Sequence, residues 1–196
     1  MENFVPFILY VVATLYTPGP NTIMSMVNAR QYGFKNSIPF YIGISTAFTI
    51  IIFGCGYFNL FLFNIMPKIE KLIRIFGALY MLYLACKVAF GKKKGIGTFG
   101  NGTNTYLSGL SMQFLNPKLI IFGITVMGTF IIPYYKSAVA LMLFSLLLSL
   151  IALTSNMCWG LFGSLLQGFI KKYDKQFNMV MGLFLVYCAA SILGIV

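Results

Sequence analysis

Histidine is absent from this 196-residue chain and acids nearly so, with 3 Asp and Glu together against 14 Lys and Arg. Without histidine there is no histidine-ligated haem, no histidine metal site and no histidine proton relay. Charge of either sign is scarce, 9% of residues, where a soluble domain carries roughly 25%. Cysteine is sparse as well. Cys55, Cys86, Cys158 and Cys188 form no C-x-x-C pair, which removes the thioredoxin-like and thiolate-metal motifs and leaves each thiol to read as a small buried hydrophobe.

What fills the chain is apolar, 59% of its residues. Six long apolar stretches can be drawn, at 4–28, 37–63, 69–90, 106–132, 137–166 and 177–196. Each approaches or exceeds the roughly 20 residues that cross about 30 Å of hydrocarbon. The expected fold is therefore an all-α integral membrane protein of six transmembrane helices, with little left for a soluble domain. Glu2 and Asn3 precede the first stretch where a signal peptide would carry basic residues, so that stretch is expected to be mature structure.

The net charge of +11 has a membrane explanation and implies no nucleic-acid partner. With six spans, connections one, three and five share a face and carry nine cations: Arg30, Lys35, Lys87, Lys92, Lys93, Lys94, Lys171, Lys172 and Lys175. The opposite face carries Lys68, Lys71, Arg74 and Lys136. The positive-inside bias makes the first face cytoplasmic and both termini external.

The hydrophilic segment GKKKGIGTFGNGTNT, 91–105, reads as a flexible cytoplasmic linker between a first three-helix repeat, 1–90, and a second, 106–196. Three spans per half is an odd number, so the halves would enter the membrane from opposite sides, a 3+3 inverted repeat. Matching irregularities support it. TPGPN, 17–21, interrupts the first span, and FLNPK, 114–118, interrupts the fourth.

A proline in a helix interior costs about 3 kcal/mol and crowds the carbonyl four residues back. In lipid such breaks survive only where protein or a wet cavity faces them. The carbonyls of Thr14, Tyr16 and Gln113 are expected to be released and could receive an ammonium group. Asn116 followed by Pro117 is a helix-restarting pair, and its amides attract a carboxylate. Asn21 adds an amide that both donates and accepts. Lys118 is the one charge placed inside a span away from its ends, where it would cost at least about 2.5–3.5 kcal/mol unless it faced a pathway or partner. A carboxylate on a substrate can be that partner. The full candidate set is Thr14, Tyr16, Thr17, Pro18, Gly19, Pro20, Asn21, Gln113, Asn116, Pro117, Lys118 and Asn156. Plainer readings stand beside it: proline kinks, a snorkelling lysine, Ser45, Thr46, Thr154 and Ser155 as interhelical glue, and Gly43, Gly54, Gly56, Gly77, Gly160 and Gly163 as close-packing positions. Trp159, Tyr57-Phe58 and Tyr134-Tyr135 read as core or interface anchors.

Three segments, TPGPNTIMSMVNARQYGFKNSIPFYIGISTAF, IRIFGALYMLYLACKV and GLSMQFLNPKLIIFGI, together resemble the LysE/RhtB family of bacterial amino-acid exporters. The resemblance implies six spans in the bacterial cytoplasmic membrane and export of amino acids or close derivatives, driven by a proton gradient or the membrane potential. It carries over Pro18, Gly19, Pro20, Asn21, Asn116, Pro117 and Lys118. One departure bears on coupling. Many members have an acid in span two, where this chain reads GISTAFTI, 43–50. A site with one lysine and no carboxylate disfavours a cationic side chain, so a neutral amino acid or small zwitterion is the expected cargo.

The function expected is thus secondary active export by alternating access, with no cofactor and no enzymatic activity. A membrane thiol–disulfide electron-transfer protein and a divalent-metal exporter are the alternatives; the first needs a reactive cysteine pair beside the breaks, the second a cluster of oxygen or thiolate ligands. The readings leave room for a homo-oligomer.

Overall fold

The computed structural model describes residues 4–90, 103–166 and 173–193. Glu2, Lys92, Lys93, Lys94, Lys171, Lys172 and most of the expected linker lie outside the described residues, as do the side chains of Lys68, Glu70, Lys71 and Asp174. Every regular element among the described residues is helical.

The first apolar stretch is two helices, α1 (Phe4–Tyr16) and α2 (Pro20–Tyr32), separated at TPG. Gly33, at φ 89°, ends α2 and returns its N–H to the Ala29 carbonyl; that left-handed conformation is one glycine adopts without strain. A short turn, Lys35–Ser37, leads into α3 (Ile38–Tyr57). After Phe58 comes α4 (Asn59–Phe90), a single helix of 32 residues.

In the second half, Thr105 caps α5 (Tyr106–Phe114) by accepting from the Ser108 N–H at 3.1 Å. The chain breaks at Leu115-Asn116 and restarts as α6 (Pro117–Thr125), which runs into a π-helical turn, Val126–Ile131. Ser137 caps α7 (Ala138–Leu165) through the Ala140 N–H, and α8 (Asp174–Leu193) follows.

By length and composition, α7 and the segment Lys35–Tyr57 can each cross a membrane. The pair α5 plus Pro117–Ile131 meets the same test as one broken unit bent by 64°. A face of α7 bearing Val139, Leu143, Leu147 and Leu150 is exposed, which suits hydrocarbon.

One boundary differs from expectation. The second and third stretches were expected to part between 63 and 69; the turn is instead at Phe58, and α4 continues through Pro67. Nothing in Tyr57-Phe58 signals a turn, whereas Pro67 and the charges after it do. The shift places Arg74 well inside α4 and not at a connection.

The interior has two apolar clusters. One joins α2, the start of α3, the end of α4, α5 and α8, through Met24, Phe40, Tyr41, Ile44, Met81, Met112 and Leu185. The other joins α1, the end of α3, α6, the π turn and α7, through Val11, Phe48, Ile52, Phe122, Met127 and Leu148. Between them lies a polar layer at the level of the two breaks, where Ser25, Gln113, Asn116, Ser155 and Asn156 are buried. Buried polar groups persist only when hydrogen-bonded, and the partners of this layer define the site.

Candidate functional site

At the first break, Gly19 caps α2 in an extended conformation with Pro20 at the first helical position. Proline has no N–H to leave unpaired there. Glycine provides no side-chain acceptor, so the amides opening α2 have no side-chain cap. The Gly19 N–H donates to Thr22 Oγ1 at 2.8 Å, and the Thr22 hydroxyl returns to the Gly19 carbonyl at 3.0 Å. At the end of α1, Ser155 Oγ donates to the Leu15 carbonyl (2.8 Å) and Trp159 Nε1 to the Tyr16 carbonyl (3.3 Å). The Thr17 hydroxyl bonds back to the Ala13 carbonyl.

The second break satisfies itself. Asn116 Oδ1 accepts from the Lys118 N–H at 3.1 Å, and the Asn116 N–H donates to the Gln113 carbonyl at 3.1 Å. A glutamine side chain ties the two breaks together: Gln113 Oε1 accepts from Asn21 Nδ2 at 2.7 Å and from Asn116 Nδ2 at 3.5 Å, while Gln113 Nε2 donates to the Ile44 carbonyl at 3.4 Å. Asn21 Oδ1 is buried without a hydrogen-bond partner. Asn156 accepts from Ser25 Oγ at 2.9 Å and donates to the Ala152 carbonyl.

Around these groups is a small chamber of about 50 Å³, lined by Thr14, Thr17, Gly19, Pro20, Asn21, Gln113, Asn116, Lys118 and Asn156, with Phe48, Leu119 and Phe122 among its apolar walls. Beside it is a larger cavity of about 380 Å³, which shares Thr14, Thr17, Gly19, Pro20, Lys118 and Phe122 and adds Tyr10, Pro18, Arg74, Pro117, Tyr187, Cys188 and Ser191. Two helix N-termini, those of α2 and α6, open onto the small chamber, each worth about half a positive charge from aligned peptide dipoles. With the Lys118 ammonium on the shared wall, the arrangement favours an anionic group, and the buried Asn21 oxygen is left open to accept from a cationic one.

Eleven of the twelve expected residues line one space or the other. Tyr16 lines neither; its hydroxyl is 3.0 Å from Thr154 Oγ1, between α1 and α7. The Tyr16 carbonyl, expected to await an ammonium, is taken by Trp159, and the Gln113 carbonyl by Asn116. Both are thus satisfied within the protein, and Gln113 reaches the chamber through its side chain. Thr154, Ser155, Ser45 and Ser149 join helices to one another. Arg74, Tyr187, Cys188 and Ser191 were not foreseen as lining residues. The four cysteines are free, with Cys86 and Cys158 exposed rather than buried. Among the described residues no group of three or more His, Cys, Asp or Glu side chains is placed to hold a metal.

Comparison with known proteins bears on the same chain length. The family model for LysE type translocators matches residues 12–194. The cysteine/O-acetylserine efflux proteins of Escherichia coli (strain K12), Escherichia coli O9:H4 (strain HS) and Shigella flexneri serotype 5b (strain 8401) are each 34% identical to it over 186 residues, covering 95% of this chain and 95% of their own. No solved structure matches.

Proposed function

This chain belongs to the LysE type translocator family, and from that premise we propose that it exports neutral amino acids or small zwitterionic derivatives across the bacterial cytoplasmic membrane. The observation that carries the reading is the meeting of both helix breaks in one chamber, joined by Gln113 Oε1 and walled by Lys118. The substrate carboxylate sits between the N-termini of α2 and α6 and the Lys118 ammonium; the substrate ammonium faces Asn21 Oδ1. The relatives' names supply two cargoes of this kind, cysteine and O-acetylserine, both amino acids with uncharged side chains.

Transport proceeds by alternating access between two three-helix repeats of opposite orientation, both termini external. Packing across the halves supports the pairing, since α2 lies on α7, α5 on α3, and α4 on α8. Their close approach at the end bearing Asn28 and Thr103 supports a conformation shut toward the cytoplasm. There a Cβ on Gly43 would stand 2.1 Å from the Tyr106 carbonyl oxygen, one on Gly109 2.2 Å from that of Phe40, and one on Gly163 2.3 Å from that of Met26. Asn28 Nδ2 also bonds the Thr103 carbonyl at 2.8 Å there. The driving force is the proton gradient or the membrane potential.

Purified protein in liposomes loaded with mixed amino acids, assayed under imposed pH and voltage gradients, tests cargo and energy source together. Lys118→Ala is expected to cut efflux about 100-fold, the scale of a lost charge-assisted hydrogen bond in a dry site, and Asn116→Ala about tenfold. Normal efflux from both correctly inserted variants removes the site assignment.

A further inference from the structure

Three helices each turn one face to the larger cavity. On α6, Ile121 and Phe122 stand three and four residues beyond Lys118, the spacing that puts side chains on one side of a helix. Tyr10 and Thr14 of α1, and Tyr187 and Ser191 of α8, repeat that spacing. The cation assigned to the substrate carboxylate thus shares its face of α6 with an apolar floor one turn further on. We propose that this cavity receives the side chain of the exported amino acid, with Ile121 and Phe122 setting its size limit, so that bulky apolar side chains are preferred over small ones. The inference rests on the export reading and deepens it.

Volume and stiffness carry it. The small chamber, about 50 Å³, has room for about one or two waters, which suits polar groups and leaves no space for a long side chain. The larger, about 380 Å³, is within the roughly 300–1,000 Å³ typical of small-ligand pockets, well above what the thiol of cysteine needs. The two adjoin at Thr14, Gly19, Lys118 and Phe122, so an amino acid held by its charged groups at Lys118 extends its side chain from one into the other. The wall it meets is firm. Phe122 is 2% exposed, its ring centroid lies 5.6 Å from that of Tyr10 with the planes at 14°, and Phe48 backs it at 6.1 Å; a close-packed aromatic cluster of this kind resists collapse into the space beside it. Arg74, also on this cavity, already interacts within the protein. The bulky groups left to meet a side chain are Tyr10, Ile121, Phe122 and Tyr187, against which a leucine side chain buries more apolar surface than a methyl group does.

The test measures KM for alanine and leucine in liposomes with wild type, Ile121→Trp and Ser191→Trp, which fill the cavity from different helices. In wild type, KM for leucine is expected to be about tenfold below that for alanine, from the extra apolar surface buried. Either tryptophan is expected to abolish that preference by taking the space leucine needs. A preference that survives both tryptophans puts the side chain elsewhere and overturns the proposal. So does a wild type that takes both cargoes equally, the result expected if membrane lipid fills the cavity. Should both variants fail to insert, Ile121→Ala decides: by enlarging the pocket it is expected to lower KM for phenylalanine relative to leucine about threefold, and an unchanged ratio overturns the assignment. A wild type that moves alanine and not leucine sinks only this pocket; one that moves no amino acid sinks the export reading as well.

Discussion

The two helix breaks perform the same interruption with opposite construction. At the second, Asn116 caps α6 with its own side chain and quiets the Gln113 carbonyl with its own N–H, so the turn carries its partners with it. At the first, a glycine cap leaves the opening amides of α2 uncapped, and the carbonyls of Leu15 and Tyr16 are held by Ser155 and Trp159 from α7. A self-satisfied break moves as a rigid unit. One satisfied from outside is bound to the helix that supplies its donors. The first break is therefore the one expected to respond to any shift of α7, and the second the one expected to keep its own geometry around Lys118 and Gln113.

The largest effect on that contrast is expected from the atom both breaks share. Gln113 is fully buried, and Gln113→Leu keeps its bulk while orphaning Asn21 Nδ2 and Asn116 Nδ2. Each stranded group costs about 1–3 kcal/mol. Efflux in liposomes is expected to fall about 100-fold, with a lower melting temperature in detergent. A variant that melts lower yet exports normally would show that the breaks need not be tied.

A smaller effect separates the breaks from each other. Ser155→Ala removes the donor to the Leu15 carbonyl, and Trp159→Phe the donor to that of Tyr16. At about 1 kcal/mol per lost hydrogen bond, the double variant is expected to slow efflux about fivefold to tenfold. KM for the substrate should change less than the maximal rate, because neither side chain lines the chamber. Unchanged rates would mean that α7 does not govern the first break.

Much of this was legible because proline, glycine and asparagine act locally. TPGPN and FLNPK each announce a stop and a restart within five residues, and the structure places α1, α2, α5 and α6 around them. Lys118 stood out as a lone charge in an apolar run. Arg74 did not, because Lys68, Glu70 and Lys71 precede it and the run reads as a connection; only the helix that continues from Asn59 shows otherwise. Tyr187, Cys188 and Ser191 sit in a stretch of α8 without a punctuating residue, and their place on the cavity follows from which helix α8 packs against. That is tertiary information. The same holds for the Tyr16 carbonyl, crowded by Pro20: local sterics foretold its release, but the donor that claims it, Trp159, lies 143 residues along the chain.

The smallest expected effect is the most specific, because it makes the first break resemble the second. Gly19 has φ −163° and ψ −178°, an extended conformation open to any residue, and a Cβ there meets only Lys118 Nζ at 3.6 Å and the Thr17 carbonyl oxygen at 3.9 Å. Gly19→Ser therefore introduces no strain. Its hydroxyl is placed to accept from an opening amide of α2, as Asn116 Oδ1 does from the Lys118 N–H in α6. A serine cap exceeds a glycine cap by a few tenths of a kcal/mol, so the melting temperature is expected to rise by about 1 °C. The same bond occupies a donor that the proposed site offers to the substrate carboxylate, so KM is expected to rise about threefold while the maximal rate holds. A higher melting temperature with KM unchanged would show that the uncapped amides of α2 contribute nothing to recognition, and the carboxylate would then belong to α6 and Lys118 alone.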